Sequence, residues 1–595
     1  MAPPVPAGVQ SISQMSTRTK VVVMAGTLLG LFTAAMDQTV VSTSLPRIVA
    51  SLGGLGLFPW VFTSFMVTST TAVPIVGKLT DLYGRKPFYI AGVAILLLGS
   101  VLAGSSQSME QLIAFRAVQG LGAGMIMGIA FAIVGDVFPP SERGKWAGLM
   151  SGVFASASVI GPLIGGTLTD HFNWRWVFYV NLPLGSVTLL VLFFGMPALR
   201  PVVRPKMDYR GVVLLVATVV PALLAFSWAG SRYDWGSPQI IGIFTWSAAA
   251  LAMFTYAELR TKEPLLPMGL FRNRIFAVSA LVTFLTGIAM FGALSYIPLF
   301  VQGVIGSSAT NSGLVLMPMM IAMAISSTIT GQIMSRLGRY RILGVVGLTI
   351  MTAGMFLLAQ MDVNATTFIA RRNMVVMGIG LGMALPLFTL AVQNAVPHRM
   401  MGIATSTIQF LRSVGGTMGI AIMGSLITST LASELVANMP PQVRENAPPT
   451  LLAQLRNPQF LLSPEQLGAI RGAFEQLGPQ GDQLFEMSVF AVRTSLATAI
   501  TDAFLIAMFV TLASIAVGAF LREVPLRRSH DLEGELSPSV GPASGPAAPR
   551  SQVLPPVAGG GNRPSGRRPL PYAALGAVLA FAIGLLAFLL KRNGG

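Results

Sequence analysis

The feature that most constrains this chain is a series of fourteen apolar segments separated by polar links. A helix needs about 20 consecutive apolar residues to cross a bilayer. The segments cover residues 20–45, 57–76, 88–104, 111–134, 146–168, 177–197, 211–229, 239–257, 275–302, 310–334, 342–360, 366–392, 403–429 and 496–520. Hydrophobic residues make up 53% of the chain and charged residues only 10%. This composition excludes a soluble globular protein and predicts an all-α membrane protein with fourteen spans.

Basic residues in the links predict how the chain is threaded through the membrane. The formal net charge is +17, and Lys and Arg concentrate in alternate links, for example at 78–86, 143–145 and 200–210. Cytoplasmic loops are enriched in these residues, so both ends of the bundle are predicted to face the cytoplasm. The expected location is the inner, or cytoplasmic, membrane of a cell. The same distribution accounts for the positive charge without nucleic acid as a partner.

Several kinds of chemistry are excluded by residues that the chain lacks. It has no cysteine and only three histidines, scattered at His171, His398 and His530. Neither a thiol nucleophile nor a metal cluster is therefore expected. No Gly-x-x-x-x-Gly-Lys-Ser/Thr sequence occurs, which argues against ATP hydrolysis. We expect no metal, no cofactor and no enzymatic activity, and any active transport would draw on an ion gradient.

An internal repeat indicates two related halves. Two patterns occur twice: Gly77, Gly84 and Arg85 recur as Gly331, Gly338 and Arg339, and Gly120, Gly122 and Gly124 recur as Gly378, Gly380 and Gly382. The predicted division is a cytoplasmic tail (1–19), a first six-helix half (20–200), two inserted helices (201–274) and a second six-helix half (275–521). Ser335 stands in the second copy where the first has Asp81, so the second copy is expected to act as a scaffold.

Two further regions interrupt the pattern. Residues 431–493 are predicted to form a periplasmic insert that includes a partly amphipathic helical hairpin over the mouth of the bundle. Residues 522–569 are rich in Pro, Gly, Ser and Arg and predict a disordered cytoplasmic linker. The apolar run 570–590 that follows is either an additional span or a helix at the membrane interface or against the bundle.

Asp37 and Arg116 are charged residues that fall inside apolar segments. Asp37 lies in the first segment and Arg116 in the fourth, where Gln119 follows three residues later. A charge in a span costs about 2.5–3.5 kcal/mol on insertion scales, and burial disfavours the charged form of a carboxylate. Asp37 is interpreted as a proton-binding or substrate-binding group, and the alternative is a structural hydrogen-bond acceptor. Arg116 has the corresponding alternative of a structural pair that fixes two helices.

The link between the second and third segments reads Gly77-Lys78-Leu79-Thr80-Asp81-Leu82-Tyr83-Gly84-Arg85-Lys86-Pro87. It resembles the cytoplasmic signature loop of the major facilitator superfamily, although the family usually has Arg where this chain has Leu82. The resemblance implies a cytoplasmic gate, whose residues here are Gly77, Asp81, Gly84, Arg85, Lys86, Asp136, Glu142 and Arg143. Arg85 would pair with Asp136 or Glu142, and Asp81 would meet the positive end of a second-half helix.

Further motifs resemble the fourteen-helix drug:proton antiporters of that superfamily. The sequence from Arg116 to Gly124 matches the fourth-span motif, in which the family's Arg is implicated in proton coupling. The fifth segment contains Gly161, Pro162, Gly165 and Gly166 of the antiporter motif, with Ala157 where Gly is usual. Trp174–Pro183 and the sequence around Arg412 agree with the subgroup. The resemblance covers residues 20–521 and assigns proton coupling or substrate binding to Asp37, Arg116, Gln119 and Arg412.

The expected function is therefore proton-coupled export of amphipathic or hydrophobic small molecules by alternating access of two halves. The partners would be the substrate, protons and the lipid bilayer, and the expected state is a monomer. Two alternatives stay open at this point. One is an exporter of lipids or hydrophobic metabolites with the same fold, and the other is a membrane sensor that binds a ligand without moving it.

Overall fold

The computed structural model describes residues 16–138, 140–197, 208–229, 233–261, 264–337, 340–396, 400–446, 451, 454–455, 458–462, 464–476 and 480–523. In these residues, fourteen helices are long and apolar enough to cross a membrane. The predicted all-α membrane fold with fourteen spans is thereby confirmed. The predicted tail (1–19) is described only from Ser16, and the linker and the apolar run 570–590 lie outside the described residues beyond Glu523.

Fourteen long helices form the bundle. Those of the first half are α1 (Thr17–Leu52), α2 (Phe58–Tyr83), α3 (Arg85–Gly104), α4 (Met109–Val137), α5 (Pro140–His171) and α6 (Asn181–Gly195). The two inserted helices are α7 (Tyr209–Trp228) and α8 (Pro238–Arg260). Those of the second half are α9 (Arg274–Leu299), α10 (Ala309–Leu337), α11 (Arg341–Ala359), α12 (Thr367–Ala395), α13 (Met401–Asn438) and α14 (Gly481–Gly518).

Local sequence signals explain where several helices begin. Ser108 and Thr366 precede α4 and α12, and each side-chain oxygen accepts a hydrogen bond from the backbone N–H three residues on. Such N-caps satisfy donors that would otherwise lack a partner at a helix start. Between α2 and α3, Gly84 has a φ of 94°. This backbone conformation strains residues that carry a Cβ, so the sharp turn at this link depends on glycine.

The two halves repeat one packing arrangement. In the first half α4 packs against α2 and α3, and in the second half α12 packs against α10 and α11. The repeated glycines lie in these contacts: Gly120 faces the backbone of Phe65 in α2, and Gly378 faces the backbone of Met319 in α10. Small residues allow helices to approach this closely. The inserted helices pack on each other, and α7 also contacts α2 and α13.

We call the end of the bundle that includes residues 439–480 the insert end, and the end that includes residues 77–86 the motif end. Several contacts between the halves lie towards the insert end. The Phe58 ring of α2 stacks on the Tyr296 ring of α9 with 5.4 Å between centroids. The carboxylate of Asp170, in α5, accepts the backbone N–H of Thr310 at 2.7 Å. These contacts hold the two halves together at the insert end.

The helices α13 and α14 continue into the segment predicted as an insert. α13 has 38 residues, about 57 Å of helix, which exceeds the ~30 Å hydrocarbon thickness of a bilayer. Between the two helices lie the short helices Pro441–Asn446, Pro458–Leu462 and Pro464–Glu475. The Pro458–Leu462 helix contacts α1 as well as α14. The insert therefore touches both halves, and its position over a periplasmic mouth stays a prediction.

Candidate transport site

Asp37 lies at the middle of α1 and is completely buried. Its Oδ2 atom accepts a hydrogen bond from Arg116 Nη1 at 2.6 Å, and the two charges form an ion pair with no exposed side-chain surface. Its Oδ1 atom accepts from Gln119 Nε2 at 2.9 Å and from Asn181 Nδ2 at 2.6 Å. Three donors from α4 and α6 therefore converge on one carboxylate, an arrangement that suits its ionised form.

Arg116 is held in turn by its own neighbours. Its Nη1 atom also donates to Gln119 Oε1 at 3.0 Å, and its Nε atom donates to the Val61 carbonyl at 3.4 Å. The guanidinium lies over the Phe65 ring, 4.2 Å from its centroid, where a cation–π attraction strengthens in a dry environment. Because Arg116 and Gln119 are three residues apart, one face of α4 presents both side chains to Asp37.

A second layer of polar groups completes the cluster. Ser100, on α3, has its Oγ atom 2.8 Å from Gln119 Nε2 and 3.2 Å from Asn181 Nδ2. Two buried atoms of the cluster, Arg116 Nη2 and Asn181 Oδ1, have no hydrogen-bond partner in the described part of the chain. A buried polar atom without a partner costs free energy, so these two atoms mark where the network is able to accept a further contact.

Beside Arg116 lies a cavity between the two halves, which we call the central cavity. Its walls are rich in methionine and phenylalanine and include Phe62, Phe65, Met66, Phe154, Met290, Phe291, Met319, Met320 and Met323, together with the polar side chains Gln38, Thr39, Ser42, Arg116, Ser158 and Ser295. Its volume is about 60 Å³, below the ~300–1,000 Å³ of small-molecule pockets. The cavity therefore has to widen before it holds a drug-sized molecule.

The antiporter-motif residues of α5 lie in helix contacts on two sides. Gly161 and Gly165 face α1 at Thr39 and Val40, and Gly166 faces the backbone of Ala309 in α10. Hydroxyl groups of α1 bind backbone carbonyls of this segment, as Thr43 Oγ1 does to the Pro162 carbonyl at 3.2 Å. The motif thus joins α1 to α5 and also brings α5 against the second half.

The predicted gate residues lie at the motif end. Lys86 Nζ donates to the Phe193 carbonyl at 2.8 Å and lies over the Phe193 ring, while Arg85 contacts Thr80 and lies 3.5 Å from the Gly77 carbonyl. The side chains of Asp81, Asp136, Glu142 and Arg143 are outside the described part of the structure. The pairing of Arg85 with Asp136 or Glu142, and the helix partner of Asp81, therefore stay predictions.

Arg412 lies on α13 away from the Asp37 cluster and hydrogen-bonds with Gln409 on its own helix. The structure thus brings together Asp37, Arg116 and Gln119 but does not add Arg412 to their contacts. Sequence reasoning missed Asn181 and Ser100 as members of the cluster. Asn181 had a signal, because an amide side chain opening an apolar span is unusual and its hydrogen bonds need partners.

Among the described residues, no group of three or more His, Cys, Asp or Glu side chains could hold a metal ion. A bundle of two related six-helix halves, with a buried ion pair beside a cavity between them, is the architecture of a secondary membrane transporter. The chain belongs to the Major Facilitator Superfamily, whose family model matches residues 27–420. The family consists of transporters, not enzymes, and the resemblance seen in the sequence is confirmed.

Relatives with curated names agree with this membership. Multidrug transporter protein MdtP of Bacillus subtilis is 38% identical over 467 residues, which cover 76% of this chain and 86% of the relative. Multidrug resistance protein 3 of the same organism is 40% identical over 417 residues, covering 70% and 81%. A solved bacterial homologue of the human lysosomal transporter Spinster has a TM-score of 0.58 and 17% identity, covering 86% of this chain and all of that one. This last similarity supports the fold alone.

Proposed function

We propose that this transporter exports amphipathic small molecules from the cytoplasm in exchange for protons. In this proposal it lies in a bacterial-type cell membrane, with its motif end facing the cytoplasm. The observation that carries the proposal is the buried Arg116–Asp37 ion pair beside the central cavity. The names of the two Bacillus relatives, a multidrug transporter and a multidrug resistance protein, support export of drug-like compounds.

The walls of the central cavity support a broad choice of substrates. Met66, Met290, Met319, Met320 and Met323 supply flexible, polarisable side chains from both halves. Such surfaces repack around ligands of different shapes, as promiscuous binding sites do. Arg116 is the charged residue among the described residues of this lining, and Asp37 behind it is already paired. The site is therefore suited to a molecule that is mostly apolar and carries no more than one charged or hydrogen-bonding group.

Asp37 is proposed as the group that takes up and releases the proton. Its ionised form accepts hydrogen bonds from Arg116, Gln119 and Asn181. A protonated Asp37 instead has a hydrogen to donate, and Asn181 Oδ1 is a nearby acceptor atom without a partner in the described residues. A half-turn of the Asn181 amide would exchange its donor for this acceptor, so Asn181 is able to serve both protonation states.

The exchange of substrate for protons follows because the proton and the substrate compete for interactions with Asp37 and Arg116. Protonation of Asp37 removes one partner of Arg116 and frees its guanidinium to turn towards the central cavity. A cationic or hydrogen-bonding substrate that enters from the motif end would favour the ionised carboxylate and release the proton inward. Opening at the insert end would return Asp37 to a protonating solution and release the substrate. The gradient, rather than the residue, sets the direction of the cycle.

The test is substrate-dependent proton movement in proteoliposomes that contain the purified protein. Asp37→Asn keeps the size of the side chain and one hydrogen-bonding oxygen, so we expect substrate binding to persist while uphill export is lost. Asp234→Asn is the matched control, because Asp234 is an exposed carboxylate outside the cluster. Full proton-driven accumulation by Asp37→Asn would place coupling elsewhere in the protein.

The same vesicles separate the two alternative functions. The central cavity is mostly apolar, which would also suit a lipid or another hydrophobic metabolite. Movement of a fluorescent lipid between leaflets without transport of any drug would support that exporter. Binding of compounds without movement of drug, lipid or protons would support a sensor.

A further inference from the structure

A second pocket lies between the two halves at the insert end. It is formed by the start of α2, the end of α9 and the part of α13 that extends beyond a bilayer-length span. Its volume is about 360 Å³, which falls within the ~300–1,000 Å³ of small-molecule sites. Its walls include Phe58, Pro59, Tyr296, Leu299, Leu431 and Leu435.

This insert-end pocket is aligned with the central cavity along the same two helices. On α2, Phe58 lines the insert-end pocket and Phe62 lines the central cavity. On α9, Tyr296 lines the insert-end pocket and its neighbour Ser295 lines the central cavity. The two chambers are therefore consecutive along one path between the halves.

An aromatic layer separates the two chambers. The Phe58 ring stacks on the Tyr296 ring with 5.4 Å between centroids and packs at a tilt against Phe62 at 6.1 Å. The Tyr296 hydroxyl donates to the Ile420 carbonyl at 2.9 Å, which fixes its ring. Gly424 faces both Pro59 and the Tyr296 hydroxyl. Because Phe58 and Tyr296 belong to different halves, separating the halves at this end would open the layer.

The chemistry of the pocket lining selects an apolar occupant. Among the described residues, the lining contains no Asp, Glu, Lys, Arg or His. Its two polar side chains already have partners, since the Tyr296 hydroxyl binds Ile420 and Thr428 Oγ1 donates to the Gly424 carbonyl at 2.9 Å. A charged or strongly polar ligand would lose its hydration here without compensation, whereas an alkyl or aromatic group would gain from burial.

We propose that the insert-end pocket is an exit subsite that receives the apolar part of the exported molecule. This inference rests on the proposed function and adds a second binding position to it. When the aromatic layer opens, the apolar part moves from the Met- and Phe-lined central cavity into a pocket of matching chemistry instead of into water. The extension of α13 supplies the far wall through Leu431 and Leu435, so the pocket continues past the end of the span.

The chain has no cysteine, so a single introduced thiol reports on the pocket. Ala432 lines the pocket and is exposed, while the exposed Ser433 lies on the opposite face of α13. Ala432→Cys and Ser433→Cys are compared for the rate of reaction with a membrane-impermeant maleimide in proteoliposomes. The probes are tetramethyl-, octyl-, dodecyl- and hexadecyltrimethylammonium, which share a head group and differ in apolar length.

We expect the probes with longer alkyl chains to slow labelling of Ala432→Cys severalfold and tetramethylammonium to leave its rate unchanged. Ser433→Cys should react at the same rate with every probe. Equal slowing at both positions, or no slowing at Ala432→Cys, would overturn the apolar subsite. Protection of Ala432→Cys without transport of dodecyltrimethylammonium by the wild type would support an apolar site there, but it would refute both the proposed export and the exit role.

A second pair of variants tests the exit role itself. Ala432→Trp places an indole in the pocket, and Ser433→Trp places the same indole on the opposite face. We expect export of dodecyltrimethylammonium to fall severalfold in Ala432→Trp relative to Ser433→Trp, with equal affinity for the probe at the central cavity. Equal export rates in the two variants would refute the exit role. Because both variants would still export the probe, that result would leave the proposed function intact.

Discussion

At the scale of single residues, the centre of the protein is one carboxylate surrounded by donors from two other helices. Asp37 and Arg116 are both fully buried, so neither charge is compensated by water. The attraction inside such a pair offsets the desolvation of its members only while both are present. Removing one partner therefore lowers stability far more than neutralising both. A variant with both charges neutralised can then show whether the pair serves only stability or also proton coupling.

Arg116→Ala is expected to lower the free energy of unfolding by about 3–5 kcal/mol, because it leaves a buried carboxylate uncompensated. The double variant Arg116→Ala/Asp37→Asn should recover most of that loss, since the remaining amide is neutral. Thermal unfolding of the purified protein in detergent measures both. Proton-driven transport should stay lost in the double variant; its return together with stability would mean that the pair is only structural.

Asn181→Ala is expected to destabilise the protein by about 1.5–3 kcal/mol, since it removes a hydrogen bond to a charged group. The matched control is Thr188→Ala, because Thr188 is equally buried on the same helix and donates to the uncharged Leu184 carbonyl at 2.9 Å. Its loss should be smaller, at about 0.5–1.5 kcal/mol. Only Asn181→Ala should also reduce the number of protons exchanged per substrate; equal proton counts in the two variants would contradict its proposed role.

At the scale of helices and loops, the insert end is held by contacts of several kinds between elements far apart in sequence. The Asp170 carboxylate of α5 accepts two backbone N–H groups, of Ala309 and Thr310, at the start of α10. In the insert, the Leu462 carbonyl accepts from Arg47 Nη1 of α1 at 2.8 Å, and Gln466 Nε2 donates to the Ala50 carbonyl at 3.2 Å. These bonds must break when this end opens.

Asp170→Asn is expected to favour opening at the insert end. A carboxylate at a helix N-terminus contributes about 0.3–1 kcal/mol of stability. The substitution would destabilise only the closed state, because Asp170 meets the start of α10 only when this end is closed. The measurement is the maleimide reaction rate of Ser42→Cys in the central cavity, with reagent added at the insert end; it should rise up to about fivefold. Asp362→Asn is the control, because Asp362 binds Asn364 within its own loop. Equal rates in the two variants would contradict this role.

Within the insert, Phe474 is fully buried and packs against Phe485 of α14 with 5.9 Å between ring centroids. Phe474→Ala should cost about 3–5 kcal/mol of local stability through the lost burial and the cavity left behind. Hydrogen exchange should then accelerate in residues 464–476 while the spans keep their protection. Phe509→Ala is the control, since Phe509 is 57% exposed on α14. Unchanged exchange in Phe474→Ala would mean that the insert is held by other contacts.

At the scale of the whole molecule, the two halves approach closely where glycines of one half face the backbone of the other. Gly166 of α5 faces the backbone of Ala309 and Thr310, and Gly313 of α10 faces the Pro162 carbonyl. A Cβ atom at Gly166 would lie 2.6 Å from the Thr310 Cα atom, closer than real packing permits. The closed insert end therefore depends on two helices that alternate small residues against each other's main chain.

Gly166→Ala is expected to reduce transport by hindering closure at the insert end, while substrate binding from the motif end persists. Gly152→Ala on the same helix is the control, because a Cβ there meets nothing within 4 Å. The initial export rate and the binding affinity for the probe are measured in both variants. We expect the export rate to differ between them and the affinity to be the same. Normal export by Gly166→Ala would show that the halves adjust to the added methyl group.

The number of spans and their approximate positions were decided by the sequence alone. Each span needs only local composition, because the bilayer surrounds every helix with the same apolar medium. The ends of α13 and α14 were less predictable, since beyond the bilayer their apolar residues, such as Leu435 and Phe485, are buried by protein instead of lipid. Asp37 and Arg116 were recognisable from the sequence, because a charged residue within an apolar span is rare and marks a functional candidate.

What only the tertiary structure decided is which polar groups meet. Asn181 is 144 positions from Asp37 in sequence, and a neutral amide does not reveal whether it faces lipid, a neighbouring helix or a carboxylate. The contact between Asp170 of α5 and the start of α10 likewise arises from packing between the halves, as does the insert-end pocket. Hydrophobicity acts on each residue through the medium around it, whereas hydrogen bonds and cavities depend on distances between helices, and a linear pattern does not contain those distances.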